Sequence, residues 1–484
     1  MRDGQGETVT ATALLDRAAI IADQLGRAGA RCAGVRQDNG IDWLCIDLAC
    51  ILAGIPLVPI PLFFTAGQIA HIVAETGMDA LFGSTTGVES AFADFRPAAG
   101  MGWISGPHRQ VSIAAGVAKV TFTSGTTGKP KGVCLSLHQQ ELTASVLAER
   151  TGSLGIDTHL SVLPLAVLLE NVAGVYGAIF SGADVVLPPL AVTGLTGSSG
   201  FCADELMKCL RSNQPSSIIL LPQILKSLVK LMRASREKLS GLKYVAVGGA
   251  RCAPELIHAA RALGLPVFEG YGLTECASVV AVNVPEADKP GSVGRPLGHR
   301  SVRLGEGGEI EVQCPEGVTY LGHAPIDSGW LETGDLGYLD ADGFLYVNGR
   351  LKQLVITAFG RNVSPEWVES ELLAEPEVLQ TAVFGDDLPV LAALVVAAPM
   401  AGAADVEQAI TRCNSRLPDY ARIGAHKIVD PFTTASGQLT ANGRVCRSAI
   451  EARHRVSLDD LYHEVTSQFS GAHHDVLPRT HSAN

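Results

Sequence analysis

Residues 120–133 read Val-Thr-Phe-Thr-Ser-Gly-Thr-Thr-Gly-Lys-Pro-Lys-Gly-Val. These types, in this order, suit a polyphosphate. Gly125 and Gly128 let backbone N–H groups come close to an anion. Thr123, Ser124, Thr126 and Thr127 add hydroxyl donors, and Lys129 and Lys131 add positive charge. The run is not a Walker A loop, which needs Gly-x-x-x-x-Gly-Lys-Ser/Thr. Here Pro130 follows Lys129, and Thr123 stands where the first glycine should be. The competing reading, a surface turn rich in small polar residues, accounts for neither the two lysines nor the β-prone residues 120–122 before them.

Such a loop needs a rigid frame. Leu14, Leu15, Ala18, Ile21 and Leu25 have helical spacing within residues 11–35, and residues 42–53 form a second helical candidate. Residues 57–60, 185–187, 217–221 and 244–247 are short apolar runs, the last three following helical segments. Alternating helix and buried strand predicts parallel β/α layers. After Gly294 the pattern changes: residues 302–304, 309–313 and 344–347 read as short strands joined by Gly and Asp turns, a small β-subdomain. Another β-run, 354–357, follows residues 349–353.

The chain has 484 residues, of which 47% are hydrophobic, so two or more cored domains are expected. A net charge of −12 argues against non-specific nucleic-acid binding. Eleven cysteines show no metal-ligand spacing and read as buried, reduced thiols. The N-terminus lacks an apolar signal core, and the apolar run 50–64, broken by three prolines and a glycine, is too short to span a membrane. The expectation is a soluble cytoplasmic protein without a membrane span.

Further motifs follow in order: Gly248-Gly249-Ala250, Glu269-Gly270-Tyr271-Gly272-Leu273-Thr274-Glu275-Cys276, Gly291-Ser292-Val293-Gly294-Arg295-Pro296, Gly308-Glu309-Ile310, Gly329-Trp330-Leu331-Glu332-Thr333-Gly334-Asp335, Gly349-Arg350-Leu351-Lys352 and Leu439-Thr440-Ala441-Asn442-Gly443-Arg444. With the loop, they resemble the adenylate-forming, AMP-binding superfamily of acyl-CoA synthetases, adenylation domains and luciferases, and look most like the fatty acyl-CoA synthetases. The resemblance covers roughly residues 10–455. It implies an α/β fold: a large N-terminal domain (1–351) of layered β/α subdomains with a small β-subdomain, binding ATP and acid, and a small mobile α+β C-terminal domain (352–455) that rotates on a hinge. Residues 456–484, polar and His-containing, read as a partly flexible tail, frayed from Ser467. No downstream carrier-protein segment is expected.

The resemblance also implies roles. Thr123 to Lys131, including Ser124, Gly125, Thr126, Thr127, Gly128 and Lys129, would hold the β- and γ-phosphates of ATP. Thr274 would lie near the α-phosphate and Glu275 would bind Mg²⁺, a hard cation suited to carboxylate oxygen. Asp335 would accept the ribose hydroxyls, and Arg350 would reach ribose or phosphate. Tyr271 and Gly272, beside Gly249 and Ala250, would form the adenine site. Lys352 sits at the pivot, and Gly360 would line a channel for a pantetheine arm. The late motif usually reads Asn-Gly-Lys; here it ends in Arg444, which keeps the charge with a wider, planar fork. Either Arg444 fills the lysine's role, the reading preferred here, or adenylation is slowed, or only thiolation or a non-standard reaction remains.

The acid pocket is expected from residues 163–176, 248–250 and 272–278. Amino-acid-activating relatives place an Asp where Leu169 falls, which disfavours an α-amino acid, although a one-residue shift would put Glu170 there. Glu170 and Asn171 could equally cap a helix running to Phe180. The expected activity is ATP-dependent activation of a fatty or other apolar carboxylic acid, then transfer to a thiol. Coenzyme A is the leading acceptor; the alternatives are the phosphopantetheine of an acyl or peptidyl carrier protein, or a catalytically weak nucleotide-binding relative.

Overall fold

A computed structural model describes residues 1–4, 6–98, 103–107, 113–123, 130–197, 200–326, 329–440 and 444–471, with side chains described through 464. The chain forms two compact units, Met1–Thr333 with Tyr338–Tyr346, and Gly334–Gly337 with Val347–Asn484. The boundary expected after residue 351 lies just inside the second unit.

The first unit holds two large sheets. Eight strands run in the order 319–320, 131–136, 117–123, 57–59, 33–36, 80–83, 104–105, 96–97. Helices Ala11–Ala28 and Ile41–Ala53 bury Leu14, Leu25, Trp43 and Leu44 in its core. The first of these helices is capped as its sequence dictates: Thr10 accepts from the Ala13 N–H, and Gly29 takes the left-handed conformation. Seven further strands run in the order 295–296, 281–282, 267–271, 244–247, 217–220, 158–160, 184–186. The neighbours 184–186, 158–160, 217–220, 244–247 and 267–271 are parallel, which requires helical crossovers. Helices Ala203–Asn213, Pro222–Ser235 and Pro254–Ala262 supply them, the latter two opening on proline at a position that needs no N–H bond.

Residues Leu169–Tyr176 form a π-helix that continues as Gly177–Phe180. This overturns the capping alternative for Glu170 and Asn171: both lie inside the helix, fully buried and bonded to other elements. The helix carries half of a buried polar cluster. Lys119 Nζ, on strand Val117–Thr123, lies 3.0 and 3.1 Å from the two Asp47 carboxylate oxygens. It also donates to Asn171 Oδ1 and, at 3.3 Å, to Tyr176 Oη. Asn171 Nδ2 and Tyr176 Oη donate to Asp47 Oδ2 at 3.0 and 2.8 Å. Burial lowers the Lys119 ammonium from its usual value, and Asp47 opposes it.

A four-stranded sheet in the order 302–304, 309–314, 329–339, 345–350 follows, and the chain passes between units within its last two strands. The second unit is built on strands Val378–Phe384, Leu391–Ala397 and Ile423–Ile428. Alternation assigns their faces. Val383, Ala393 and Val395 pack with Val368, Leu372, Val406 and Ile410 from helices Pro365–Leu373 and Ala403–Arg416. Ala382, Phe384, Leu394 and Val396 pack with Ile450, Leu458 and Leu461. The last two belong to helix Arg455–Gly471, so the segment expected to be a polar tail opens as a docked helix; residues from 472 lie outside the described part. Among the described residues no helix is long and apolar enough to cross a membrane.

Removing one partner of a buried ion pair strands the other charge, at a cost of about 3–5 kcal/mol. Lys119→Met should therefore lower the thermal unfolding temperature of the first unit markedly, and Lys119→Met with Asp47→Leu should recover most of it; an unchanged transition in the single variant would contradict this role.

Candidate active site

Two of the first-unit motifs, residues 248–250 and 271–275, stand at the carboxyl ends of neighbouring parallel strands, where parallel α/β sheets bind ligands. Strand Val117–Thr123 pairs antiparallel with Lys131–Ser136, and Thr123 stands opposite Lys131. Thr123 and Lys131 thus flank the glycine- and hydroxyl-rich segment. Ser124, Gly125, Thr126, Thr127, Gly128 and Lys129 themselves lie outside the described residues.

Gly248, Gly249 and Ala250 follow strand Tyr244–Val247, and Tyr271 ends the adjacent parallel strand Val267–Tyr271. Gly249 and Ala250 are exposed and Tyr271 is half-buried. Beyond Tyr271 the chain doubles back. A β-carbon on Gly272 would meet the Ser278 carbonyl oxygen at 1.6 Å, so only glycine fits. The single turn Thr274–Cys276 is followed by Ala277 (φ 52°) and Ser278 (φ 98°), two non-glycine residues in a costly conformation. The Arg300 guanidinium holds this turn from behind, donating to the Cys276 carbonyl at 2.7 Å. Thr274 and Glu275 are left half-buried at its front. Glu275 Oε1 accepts from the Tyr320 hydroxyl at 2.9 Å, and Oε2 makes no hydrogen bond among the described residues.

Beneath the turn, Glu269 is buried and accepts from the Cys252 N–H at 3.0 Å. Burial raises its carboxyl from 4.5 to about 7, opposed by that N–H and by Arg251.

On the acid side, Leu169 and Leu221 converge on Gly249, where a β-carbon would lie 3.9 and 2.9 Å from their methyl groups. Glu170 turns the other way. Its carboxylate meets His159 Nε2 at 2.9 Å and accepts from the Leu163 N–H at 3.0 Å. Gly174 makes room, since a β-carbon there would lie 2.5 Å from Glu170 Oε1. The one-residue shift that would aim Glu170 at a substrate ammonium is thereby excluded.

The second unit groups the remaining site residues. Arg350 Nε lies 2.8 Å from Asp335 Oδ1, with Asp335 buried and Arg350 partly exposed. Gly349 (φ 151°) packs so tightly on Ser364 that a β-carbon would lie 2.0 Å from its Oγ. Arg444 closes a turn on Thr440: the Thr440 N–H donates to the Arg444 carbonyl at 2.7 Å, and the Arg444 N–H donates to Thr440 Oγ1 at 3.0 Å. Desolvation and the like charge of Arg350 lower the Arg444 guanidinium, while Glu366 and Asp335 raise it. Solvent still reaches Arg444, so desolvation counts for less here than the neighbouring charges. Asp335, Arg350, Arg444 and Glu366 thus form one electrostatic group, and no motif singled out Glu366. Lys352 is exposed in the turn Leu351–Gln353. Gly360 (φ 68°) closes a turn on Thr357 at 2.8 Å and has open space on its β-carbon side.

A family model described as AMP-binding enzyme matches residues 1–321, and one described as AMP-binding enzyme C-terminal domain matches residues 352–466. The chain belongs to the AMP-binding enzyme family. A 2-succinylbenzoate–CoA ligase of Bacillus licheniformis is 31% identical over 336 residues, covering 65% of this chain and 66% of that protein. The long-chain-fatty-acid–CoA ligase FadD15 of Mycobacterium bovis is 26% identical, covering 87% of this chain and 86% of its own length. Among solved structures, the O-succinylbenzoate coenzyme A synthetase MenE from Bacillus subtilis, in complex with AMP, superposes with a TM-score of 0.72 at 25% identity, covering 92% of this chain and 93% of that one. The layered α/β domain and smaller C-terminal domain expected of an AMP-binding enzyme are the architecture observed.

Because its folded-state value lies above the unfolded one, Glu269 contributes stability that is full below pH 4.5 and fades as pH rises through about 7. Glu269→Gln keeps the neutral form at every pH. Its unfolding temperature relative to the parent should rise across that window, by the equivalent of on the order of 3 kcal/mol; parallel pH profiles would contradict the burial argument.

Proposed function

We propose that this AMP-binding enzyme activates a carboxylic acid with ATP, releasing pyrophosphate, and passes the acyl group from the adenylate to the thiol of coenzyme A. The observation that carries this reading is the placement of residues 248–250 and 271–275 at the carboxyl ends of neighbouring parallel strands, with Glu275 tied through Tyr320 to the strand that begins at Lys131. CoA ligases among the relatives support the acceptor.

In this reading the acid carboxylate attacks the α-phosphorus, and the chain's contribution is charge neutralisation and alignment. Residues 123–131 hold the leaving pyrophosphate, Thr274 faces the α-phosphate, Tyr271 packs on adenine beside Gly249 and Ala250, and Asp335 accepts the ribose hydroxyls. Arg350 and Arg444 offset the charge that builds on phosphate. Magnesium fits Glu275: the chain offers one carboxylate with a free oxygen, and no cluster of three ligating side chains occurs among the described residues. When bound, an ion held by Glu275 would neutralise phosphate charge. Lys352 is the pivot about which the second unit turns for thioester formation, and Gly360 gives the pantetheine arm room.

The acid presents an apolar body to Leu169 and Leu221. Both fatty and aryl acids meet that condition, and α-amino acids do not, because Glu170 is already engaged.

The test is pyrophosphate release with ATP, Mg²⁺ and a panel of fatty, aryl and amino acids, with hydroxylamine as trap. Release that depends on a fatty or aryl acid, followed by AMP release that depends on coenzyme A, is expected. ATP binding without acid-dependent release would overturn the ligase reading, and a requirement for a carrier-protein thiol would reassign the acceptor. Arg444→Ala should lower pyrophosphate release by about 100-fold or more while leaving thioester formation from supplied acyl-adenylate within a few-fold; unchanged release would remove Arg444 from the first step.

A further inference from the structure

We propose that Tyr320 is a positioning residue that orients Glu275 for magnesium and keeps it in register with the return strand of the phosphate hairpin. The proposal rests on the ligase reading for the role of Glu275, and on the geometry for the rest. Tyr320 lies on the short strand Thr319–Tyr320 at the edge of the eight-stranded sheet, outside every motif noted in the sequence. That strand pairs with Lys131–Ser136, Thr319 opposite Cys134 and Tyr320 opposite Val133, and the Leu321 N–H donates to the Gly132 carbonyl at 2.8 Å. From this edge the phenol reaches Glu275 Oε1 at 2.9 Å. Residues 319–321 therefore touch both parts of the phosphate site, the hairpin through the backbone and the acid through the side chain.

The hairpin's exit is fixed on its other side as well. His71 Nε2 lies 3.1 Å from the Pro130 carbonyl oxygen. A cavity of about 170 Å³ separates the two braces, with His71, Lys131, Tyr320 and His323 in its wall. Glu275 follows the glycine-dependent fold-back and precedes two strained residues, so its backbone is fixed while its side chain still has rotamers to choose. A hydrogen bond to one carboxylate oxygen selects among them and leaves Oε2 for the metal, as bonds to the outer side of a ligating carboxylate do.

The experiment compares the full-length chain with Tyr320→Phe, which keeps the ring and removes the hydroxyl. ATP binding is followed by calorimetry at increasing Mg²⁺, and acid-dependent pyrophosphate release is followed over the same range. The half-saturating Mg²⁺ concentration should rise about 5–20-fold in both assays, with Mg²⁺-free ATP binding, the acid KM and the unfolding temperature unchanged. In a Glu275→Gln background, Tyr320→Phe should add no further loss. Identical Mg²⁺ dependence of ATP binding in parent and Tyr320→Phe, or an equal further loss in the Glu275→Gln background, would overturn the proposal. Failure of the parent to release pyrophosphate, with the calorimetric Mg²⁺ shift present, would instead overturn the ligase reading and leave Tyr320's orienting role standing.

Discussion

The first unit depends on a charge placed where water cannot reach it. Lys119 sits in the strand that leads into the phosphate hairpin, and its ammonium is enclosed by Asp47, Asn171 and Tyr176. Taking an ammonium and a carboxylate out of water costs several kcal/mol each, which their attraction recovers only in good geometry with the remaining donors and acceptors filled. The cluster draws one partner from helix Ile41–Ala53 and two from the π-helix Leu169–Tyr176. A sliding strand or a rotated helix would leave a buried charge unmatched. Hydrophobic packing alone tolerates such shifts far better, so the polar cluster fixes the register of the hairpin against the helix that carries Leu169.

The same logic operates at smaller scale around Glu275. Residues 272–278 fold back so tightly that a β-carbon on Gly272 would overlap the Ser278 carbonyl, and Ala277 and Ser278 take conformations that non-glycine residues avoid. This strain persists because the surroundings over-determine it. Arg300 grips the Cys276 carbonyl, Tyr320 grips Glu275, and buried Glu269 supports the strand below. A flexible loop would present Thr274 and Glu275 in many orientations, whereas the braced turn presents one.

Much of this was legible in the sequence, and the physical reason differs from element to element. Strand Tyr244–Val247 occurs with the bounds its apolar run suggested, because a short β-branched run between helix signals has few other solutions. The motifs at 248–250 and 271–275 stand at strand ends, whereas residues 329–335 lie within strand Gly329–Leu339. Lys119 was illegible: its partners lie on elements far apart in sequence, and a lysine inside a strand ordinarily reads as a solvated face. Glu170 was ambiguous for a related reason, since only the position of His159 and the Leu163 N–H decides which way its carboxylate turns. The helix Arg455–Gly471 was hidden by its polar composition; two leucines, Leu458 and Leu461, suffice to dock it. Tyr320 belongs to no motif, and its use of Glu275 appears only once the edge strand is paired.

Arg444 is the remaining departure from the expected pattern, and its neighbours give it a physical rationale. Asp335 and Glu366 supply two negative charges, and Arg350 and Arg444 supply two positive ones. A lysine at position 444 would have Arg350 as a like-charged neighbour that disfavours its ammonium, while Asp335 and Glu366 favour it. A guanidinium does not lose its proton under the same pressure. Its planar fork can also face two oxygens at once, which an ammonium cannot do with fixed geometry. Arginine at this place keeps its positive charge beside Arg350, and Glu366, outside every recognised motif, is a carboxylate that helps balance the pair.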